Sequence, residues 1–417
     1  MRRPRPVVAA GGGLNAVIVG GGPAGLACAI ELRRRGVPDV VVLDREQDAG
    51  GIPRHCAHTG FGVRDLRRVL SGPSYARRYV ERARRAGVEV RAETTVTGWS
   101  EDGALELTSP AGRETMRGSA IVLATGCRER PRAARLVPGS RPEGVLTTGL
   151  LQQLAQQGLA IGTRAVIVGA EHVSFSALLT LAHAGVDVSG MVTHLPRHQS
   201  LRFAGTAAAL RYRIPLWTRT EVAGVHGPQR VEDVELRDLD TGRTRTVACD
   251  TIVFTGDWIP DHELAVLGGL ELDDGTRGPR VDTALRTPQP GVFATGNVVQ
   301  GAEPADVAAL AGKHTAAAVA VWLSEGVWPA QVPVSCLAPL TWLSPNAIAG
   351  DTPPPRRRFL LRAAAFLDRP RIEIRQDGRA LWRGRLRRVV PGRSASLPCD
   401  WIAAVDPKSG PVVVSAH

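Results

Sequence analysis

Three glycines carry the strongest chemical signal in the chain. Val17-Ile-Val-Gly-Gly-Gly-Pro-Ala-Gly25 sets Gly20, Gly22 and Gly25 in GxGxxG spacing, directly after an apolar run and directly before a helical pattern. That context is what a pyrophosphate needs. Gly20 permits a tight turn, Gly22 lets backbone amides approach the phosphates at a helix N-terminus, and Gly25 lets helix and strand pack closely. Pro23 and Ala24 lie inside the same turn and are grouped with it. Asp44 ends the next apolar run, 19 residues beyond Gly25, where a carboxylate can accept hydrogen bonds from a ribose; Arg45 adjoins it. The competing reading is a glycine turn with no ligand.

Groups able to move protons or electrons are fewer. Gly50-Gly51 opens a loop in which Cys56 stands between His55 and His58. One cysteine cannot run a dithiol relay, so Cys56 and His58 are candidates for tuning a redox group or moving a proton. Lys313 is one of only two lysines, so the arginine bias of the chain does not account for it, and His314 follows it. Trp258, Asp261 and His262 carry less weight. For each of these residues, packing or a solvated surface is the competing reading. The sequence contains no HExxH, GxSxG or P-loop spacing. Its cysteines (Cys28, Cys56, Cys127, Cys249, Cys336 and Cys399) include no CxxC pair, which argues against a metal site, an iron–sulfur cluster and a disulfide framework.

These residues need elements to hold them. Ala16–Val19 reads as a buried strand, followed by a helix to about Arg35 and a second strand over Val40–Leu43. A helix around Ser74–Ala86, a strand Val88–Arg91 with Val96 shortly beyond it, and a buried strand Ala120–Ala124 come next. Arg164–Val168 opens a second β-α-β unit, with its helix near Ser174–Ala184 and its second strand over Val186–Val192. Alternating strands with a hairpin cue at Asp240-Thr-Gly242 precede the buried Val292–Ala294 and an Ala-rich helix from Ala305 to Leu323. The expected class is α/β with two Rossmann-like dinucleotide-binding domains. The first covers 14–132 and 250–328, and a degenerate nucleotide domain at 133–249 interrupts it. A flexible arm (1–13) precedes them, and a small antiparallel β domain (332–417), with a hairpin at Asp377-Gly378, follows.

Composition narrows the function. With 417 residues, 43% hydrophobic and 22% charged, the chain has enough apolar content for a large core and is not mainly disordered. The net charge is +12, yet thirteen arginines against three acids fall between Pro355 and Arg393, so the excess is local. Aromatic residues, at 4%, form no ladder for stacking bases, and nucleic acid is not the expected partner. No apolar run of membrane length is read. The start, Met1-Arg-Arg-Pro-Arg-Pro6, leads into no signal-peptide core, which makes the cytoplasm the expected location.

Ala124-Thr125-Gly126 and Gly291-Val-Phe-Ala-Thr-Gly-Asn297 resemble two further signatures of flavoproteins with two dinucleotide-binding domains. The resemblance implies FAD. Gly296 and Asn297, where that group usually has Asp, would meet its pyrophosphate or ribityl chain. The helix beginning near Ala305, with Asp306 in its first turn, would face the flavin's N1–O2 side. By the same resemblance Gly51 and Val96 join the FAD contacts. The segments Gly50–Gly62, Ala124–Pro131 and Val137–Gly149 are similar to the FAD-dependent alpha-type subunits of opine oxidase, hydrogen cyanide synthase and dye-linked proline dehydrogenase, and to the related region of heterotetrameric sarcosine oxidase.

The implied activity is removal of a hydride from a small amine, imino acid or alcohol, with electrons passing to oxygen, a quinone or a second flavoprotein subunit. The expected assembly is a homo- or hetero-oligomer. Three departures matter. In Val168-Gly-Ala-Glu-His-Val-Ser174 only Gly169 survives, and Glu171 and Ser174 replace the other glycines, which puts NAD(P)H in doubt. By resemblance to the proline dehydrogenase alpha subunit, His194, Arg197, His198 and Arg202 would instead hold an adenine nucleotide's phosphates; the competing reading is a structural relic with solvated basic residues. The flavin loop has one cysteine where disulfide reductases carry a pair. The tail is Arg-rich instead of cysteine-rich. Two other readings stay open: an NAD(P)H-dependent flavoprotein reductase, and a non-catalytic nucleotide-binding scaffold within a dehydrogenase complex.

Overall fold

The computed structural model describes residues 14–200 and 214–417. The expected arm 1–13 and Arg202 lie outside the described residues. The chain forms two compact units, residues 129–259 and the rest.

In the larger unit, β1 (Leu14–Val19) leads through the glycine turn into α1 (Pro23–Arg34) and returns as β2 (Val40–Leu43). After α2 (Gly72–Arg85) comes β3 (Glu89–Arg91), then an antiparallel meander of β4 (Thr95–Trp99), β5 (Leu105–Ser109) and β6 (Gly112–Met116), then β7 (Gly118–Leu123). The parallel sheet runs in the order Val292–Ala294, β7, β1, β2, β3. Ile18 sits between Val42 and Val122. All four residues of β2 are buried, because both faces of the sheet are covered. On one face Ile18, Val40 and Val42 meet Leu26, Ile30 and Tyr79 from the helices; on the other Val17, Val41 and Leu43 meet Leu105 and Leu107 from the meander.

The smaller unit repeats this plan. It comprises β8 (Val145–Thr147), α3 (Thr148–Gln156), β9 (Arg164–Val168), α4 (His172–His183), β10 (Asp187–Val192) and β11 (Leu216–Trp217), then the meander β12 (Thr220–His226), β13 (Asp233–Asp238) and β14 (Thr244–Ala248), and finally β15 (Thr251–Phe254). The hairpin cue lies between β13 and β14, where Asp238 accepts the Asp240 and Thr241 N–H groups. Residues 250–259, grouped with the first domain on sequence, lie in this unit. β15 is buried along its length and needs a strand on each side, which β8 and β9 provide.

Returning to the larger unit, the chain adds Val292–Ala294 and α5 (Ala305–Glu325). Among the described residues α5 is a helix long and apolar enough to cross a membrane by length and composition, which amends the expectation that no such run exists. Its alanines give apolar character without bulk, and they permit close packing: a Cβ on Gly312 would lie 2.0 Å from the Ala24 carbonyl oxygen of α1. The tail forms three sheets, of five, three and two strands, around a core of its own that includes Phe359, Ile374, Val389 and Trp401. Its pairing is mostly antiparallel, with one parallel pair between Val334–Cys336 and Val412–Val414. Asp377 and Gly378 both take left-handed φ at their hairpin.

Candidate functional site

The first glycine turn is glycine for two different reasons. Gly20 has φ +108°, and a Cβ there would lie 2.3 Å from the Ala124 carbonyl oxygen; one on Gly25 would lie 2.0 Å from the Gly20 oxygen. Both positions are closed by the protein's own backbone. Gly22 has an ordinary φ of −78°, and the nearest atom to an added Cβ is Gly51 Cα at 4.0 Å. The protein leaves that space open. Pro23 removes one N–H from the first turn of α1, and the helix start has neither a capping side chain nor an acidic residue. The positive end of α1 therefore faces an open cradle, which fits a pyrophosphate.

The surrounding residues brace this cradle. Asp44 is buried and accepts the Gly21 N–H (2.8 Å) on one oxygen and the Glu46 N–H (2.9 Å) on the other. Burial pushes its carboxyl up, and these two hydrogen bonds pull it down. The described partners of Asp44 are thus backbone amides. Arg45 is exposed and lies 3.6 Å from Glu46. Gly51, at φ +64°, closes its loop against Gly22. Val96 is half-buried on β4 opposite Leu107. Ala124 is buried at the end of β7, Thr125 Oγ1 donates to the Asp261 carbonyl (2.7 Å), and Gly126 has φ +83°.

Gly296, at φ +75°, would bring a Cβ within 2.6 Å of Ala24 Cβ, so the later signature meets the start of α1. The Asn297 amide is occupied on both sides: its Nδ2 donates to the Glu303 carbonyl (3.1 Å), and its Oδ1 accepts the Glu303 N–H (2.9 Å). Asp306 is buried and accepts from the backbone and guanidinium of Arg64 at 3.0–3.2 Å.

The second turn, in the smaller unit, is built the opposite way. Glu171 is the N-cap of α4 and forms a capping box with Ser174. Thr255 Oγ1 bonds Glu171 Oε1 (2.7 Å) and Ser174 Oγ (2.6 Å), and a Cβ on Gly169 would lie 1.9 Å from the Thr255 hydroxyl. A protein carboxylate therefore stands at this helix N-terminus. Glu129 does the same at α3, accepting the Gly149 N–H (2.8 Å), and burial pushes its carboxyl up. The half-buried Arg135 donates to the carbonyls of Thr255 and Gly256, each at 2.9 Å. His194 and Arg197 are exposed in the loop after β10, and His198 is half-buried.

The proton-transfer candidates separate. Cys56 is buried, with its thiol directed to the Ile52 carbonyl at 3.6 Å. His58 is half-buried beside Phe61, with Nδ1 3.0 Å from the Thr59 carbonyl. A carbonyl only accepts, so Nδ1 carries the proton, and in the neutral ring Nε2 is the acceptor. Lys313 lies eight residues into α5, roughly 12 Å along it at ~1.5 Å per residue. Burial and Arg82 push its ammonium down, Asp65 and Glu31 oppose this, and these neighbours belong to α1, α2 and the adjoining loop. His314 bonds the Thr283 carbonyl (2.8 Å). Trp258 is half-buried in the smaller unit, and His262 is half-buried with Nδ1 2.5 Å from the Arg277 carbonyl.

Sequence reasoning did not single out Glu129, Arg135, Gln300, Glu303 or Arg362. Glu129 lies in the Ala124–Pro131 stretch, where the alternation Arg128-Glu-Arg130 was the available signal.

The sequence profile described as pyridine nucleotide-disulphide oxidoreductase matches residues 14–312. HcnB, a component of hydrogen cyanide synthase from Pseudomonas aeruginosa, is 28% identical over 76% of this chain and 73% of its own length. An opine oxidase subunit from Rhizobium meliloti is 25% identical over 85% and 68%. A thioredoxin reductase from Treponema pallidum is 26% identical over 68% and 88%, so relatives of both kinds stand at similar identity. The crystal structure of T. acidophilum thioredoxin reductase shares the fold, with TM-score 0.62 and 20% identity over 75% of this chain and 99% of its own. The doubt over NAD(P)H finds no support here, because the family's own description names a pyridine nucleotide.

Proposed function

Because the chain belongs to the pyridine nucleotide-disulphide oxidoreductase family, a group of FAD-dependent oxidoreductases, we propose that it takes a hydride from a small amine, imino acid or alcohol and passes the electrons to oxygen, a quinone or a partner flavoprotein subunit. One observation carries this reading: of the two helix starts that follow β-α-β glycine turns, α1 is open and uncapped, and α4 is filled by Glu171. The open one suits FAD. The filled one supports a hydride donor other than a nicotinamide.

In this reading Gly22, Pro23, Ala24 and Gly25 receive the pyrophosphate, and Asp44 holds their turn and offers its remaining lone pairs to the ribose. Arg45, Val96 and Ala124–Gly126 flank the adenosine half, and Gly51, Gly296, Asn297 and Asp306 flank the flavin half. Bound FAD supplies the hydride acceptor at N5. His58 Nε2 takes the proton that leaves the substrate nitrogen or oxygen. HcnB and the opine oxidase relative are both named as subunits, which supports a second polypeptide in the assembly here.

The second reading, an NAD(P)H-dependent reductase, is favoured by the family description and the thioredoxin reductase relative. The chain has no CxxC pair to pass electrons to a disulfide. Anaerobic mixing of the FAD-loaded protein with NADPH, NADH, L-proline and sarcosine in turn separates the readings. Bleaching by the amine or imino acid alone is expected, and bleaching by the nicotinamides alone overturns the proposal.

A further inference from the structure

A shallow, open cleft lies between the start of α5 and the tail, with about 500 Å³ of empty space that includes open solvent. Its inner end is Gly296 and Asn297, and its walls include Leu285, Val299, Val307 and Leu360. Arg356 and Arg358 line its outer side. In Pro353-Pro-Pro-Arg-Arg-Arg358, Arg356 and Arg357 both have left-handed backbones, at φ +59° and +56°. Arginine adopts that conformation at a cost, and such residues collect at binding sites.

The charge in the cleft is unbalanced. Its one carboxylate, Glu303, is already claimed by Arg362 at 3.7 Å and by the Ser394 hydroxyl, which donates to it. Neither Arg356 nor Arg358 forms an ion pair within 4.0 Å among the described residues, although Arg356 lies close enough to Glu303 to help hold its carboxyl down. Gln300 is nine-tenths buried in the same wall, and its Oε1 accepts from Ser344 Oγ (2.7 Å). That fixes the amide so that its N–H₂, which has no acceptor among the described residues, is left as a donor. Two exposed guanidiniums outnumbering the one carboxylate, a buried amide donor and apolar walls describe a receptor for a small anion with an apolar body.

We infer that this cleft binds a small monocarboxylate, its carboxylate held by Arg356, Arg358 and the Gln300 amide and its body against Leu285, Val307 and Leu360. The inference rests on the proposed function only in placing the ligand beside the flavin-facing Gly296–Asn297. A guanidinium pair suits a planar carboxylate through paired N–H donors. The carboxylate can belong to the substrate or to an effector.

Calorimetric titration of the FAD-loaded protein with benzoate, and with benzamide as its neutral counterpart, tests the site without turnover. Benzoate is expected to bind and benzamide to bind at least tenfold more weakly. The R356Q/R358Q double variant should lose at least tenfold in benzoate affinity, with its circular dichroism and flavin content measured to establish folding. If the double variant fails to fold, Q300L supplies the same test. Equal binding of benzoate and benzamide, no benzoate binding, or a folded variant with unchanged affinity overturns the inference. Anaerobic addition of L-proline then separates the sources. Bleaching competed by benzoate identifies a substrate carboxylate, and benzoate binding without bleaching identifies an effector and counts against the proposed reaction instead of the cleft.

Discussion

Replacing Gly22 with alanine separates binding from folding, because the structure gives that position room. At φ −78° and ψ −175° alanine is unstrained, and its Cβ meets nothing closer than Gly51 Cα at 4.0 Å. Alanine is a poorer N-cap than glycine by ~1 kcal/mol or less, and the lower entropy of the unfolded chain returns ~0.4–1 kcal/mol. The apoprotein should therefore keep its stability to within about 1 kcal/mol. The methyl group occupies the space that admits the pyrophosphate and displaces it from the first-turn N–H groups. Hydrogen bonds to a charged group contribute ~1.5–3 kcal/mol each, so losing one or two weakens FAD binding by about 3 kcal/mol, roughly 100-fold. Gly25→Ala should behave differently: its Cβ would sit 2.0 Å from the Gly20 oxygen, α1 must move, and stability should fall by ~1–3 kcal/mol or more. Flavin-to-protein ratio, FAD affinity by fluorescence quenching, and thermal midpoint of the apoprotein read these effects separately. A Gly22→Ala protein with unchanged FAD affinity would refute the cradle.

Three further outcomes are expected. Glu171→Ala removes an N-cap and a part-buried hydrogen bond from Thr255, and unfolding by urea should show a loss of about 1–2 kcal/mol; a loss under ~0.3 kcal/mol would mean that the carboxylate does not cap α4. Burial alone would raise the Asp250 carboxyl, but hydrogen bonds from Thr163 Oγ1 and from the Thr163 and Arg164 N–H groups hold it below its usual value. Its contribution is therefore full above the unfolded pKa of ~3.9 and is lost as pH falls through the lower folded value. The stability gap between the natural protein and Asp250→Asn should be constant from about pH 5 to 8 and close below about pH 4; a gap that widens in acid would contradict the assignment. His58→Gln should lower kcat by ~10²–10⁴ with flavin content preserved, and added imidazole should restore part of it; an unchanged pH–rate profile would remove His58 from the proton path.

Much of this organisation was legible because glycine spacing encodes backbone geometry. Gly20 and Gly25 could be read as closed positions and Gly22 as an open one, since a β-α-β turn fixes which Cβ atoms collide. Glu171 was legible as a misplaced carboxylate. Its hydrogen bond to Thr255 was not, because Thr255 arrives from 84 residues away, just past β15. The same distance hid the membership of β15: its apolar run fits either sheet, and only pairing with β8 and β9 decides. Asn297 looked like a flavin ligand, and the loop that folds Glu303 back onto its amide has no pattern of its own. The arginine run at 356–358 showed in the sequence only as part of a local charge excess. Left-handed backbones at two of its residues aim it at the cleft, and that conformation leaves no trace in composition.

The central claim is that electrons enter the flavin from a small amine, imino acid or alcohol. The most direct test is an anaerobic titration of the purified FAD-loaded protein with NADPH, NADH, L-proline and sarcosine, following the flavin band, with dithionite as the end point. The account predicts that the nicotinamides leave the band intact over minutes and that an amine or imino acid bleaches it. Rapid stoichiometric bleaching by NADPH or NADH, with none by the other donors, would contradict it and assign the protein as a reductase.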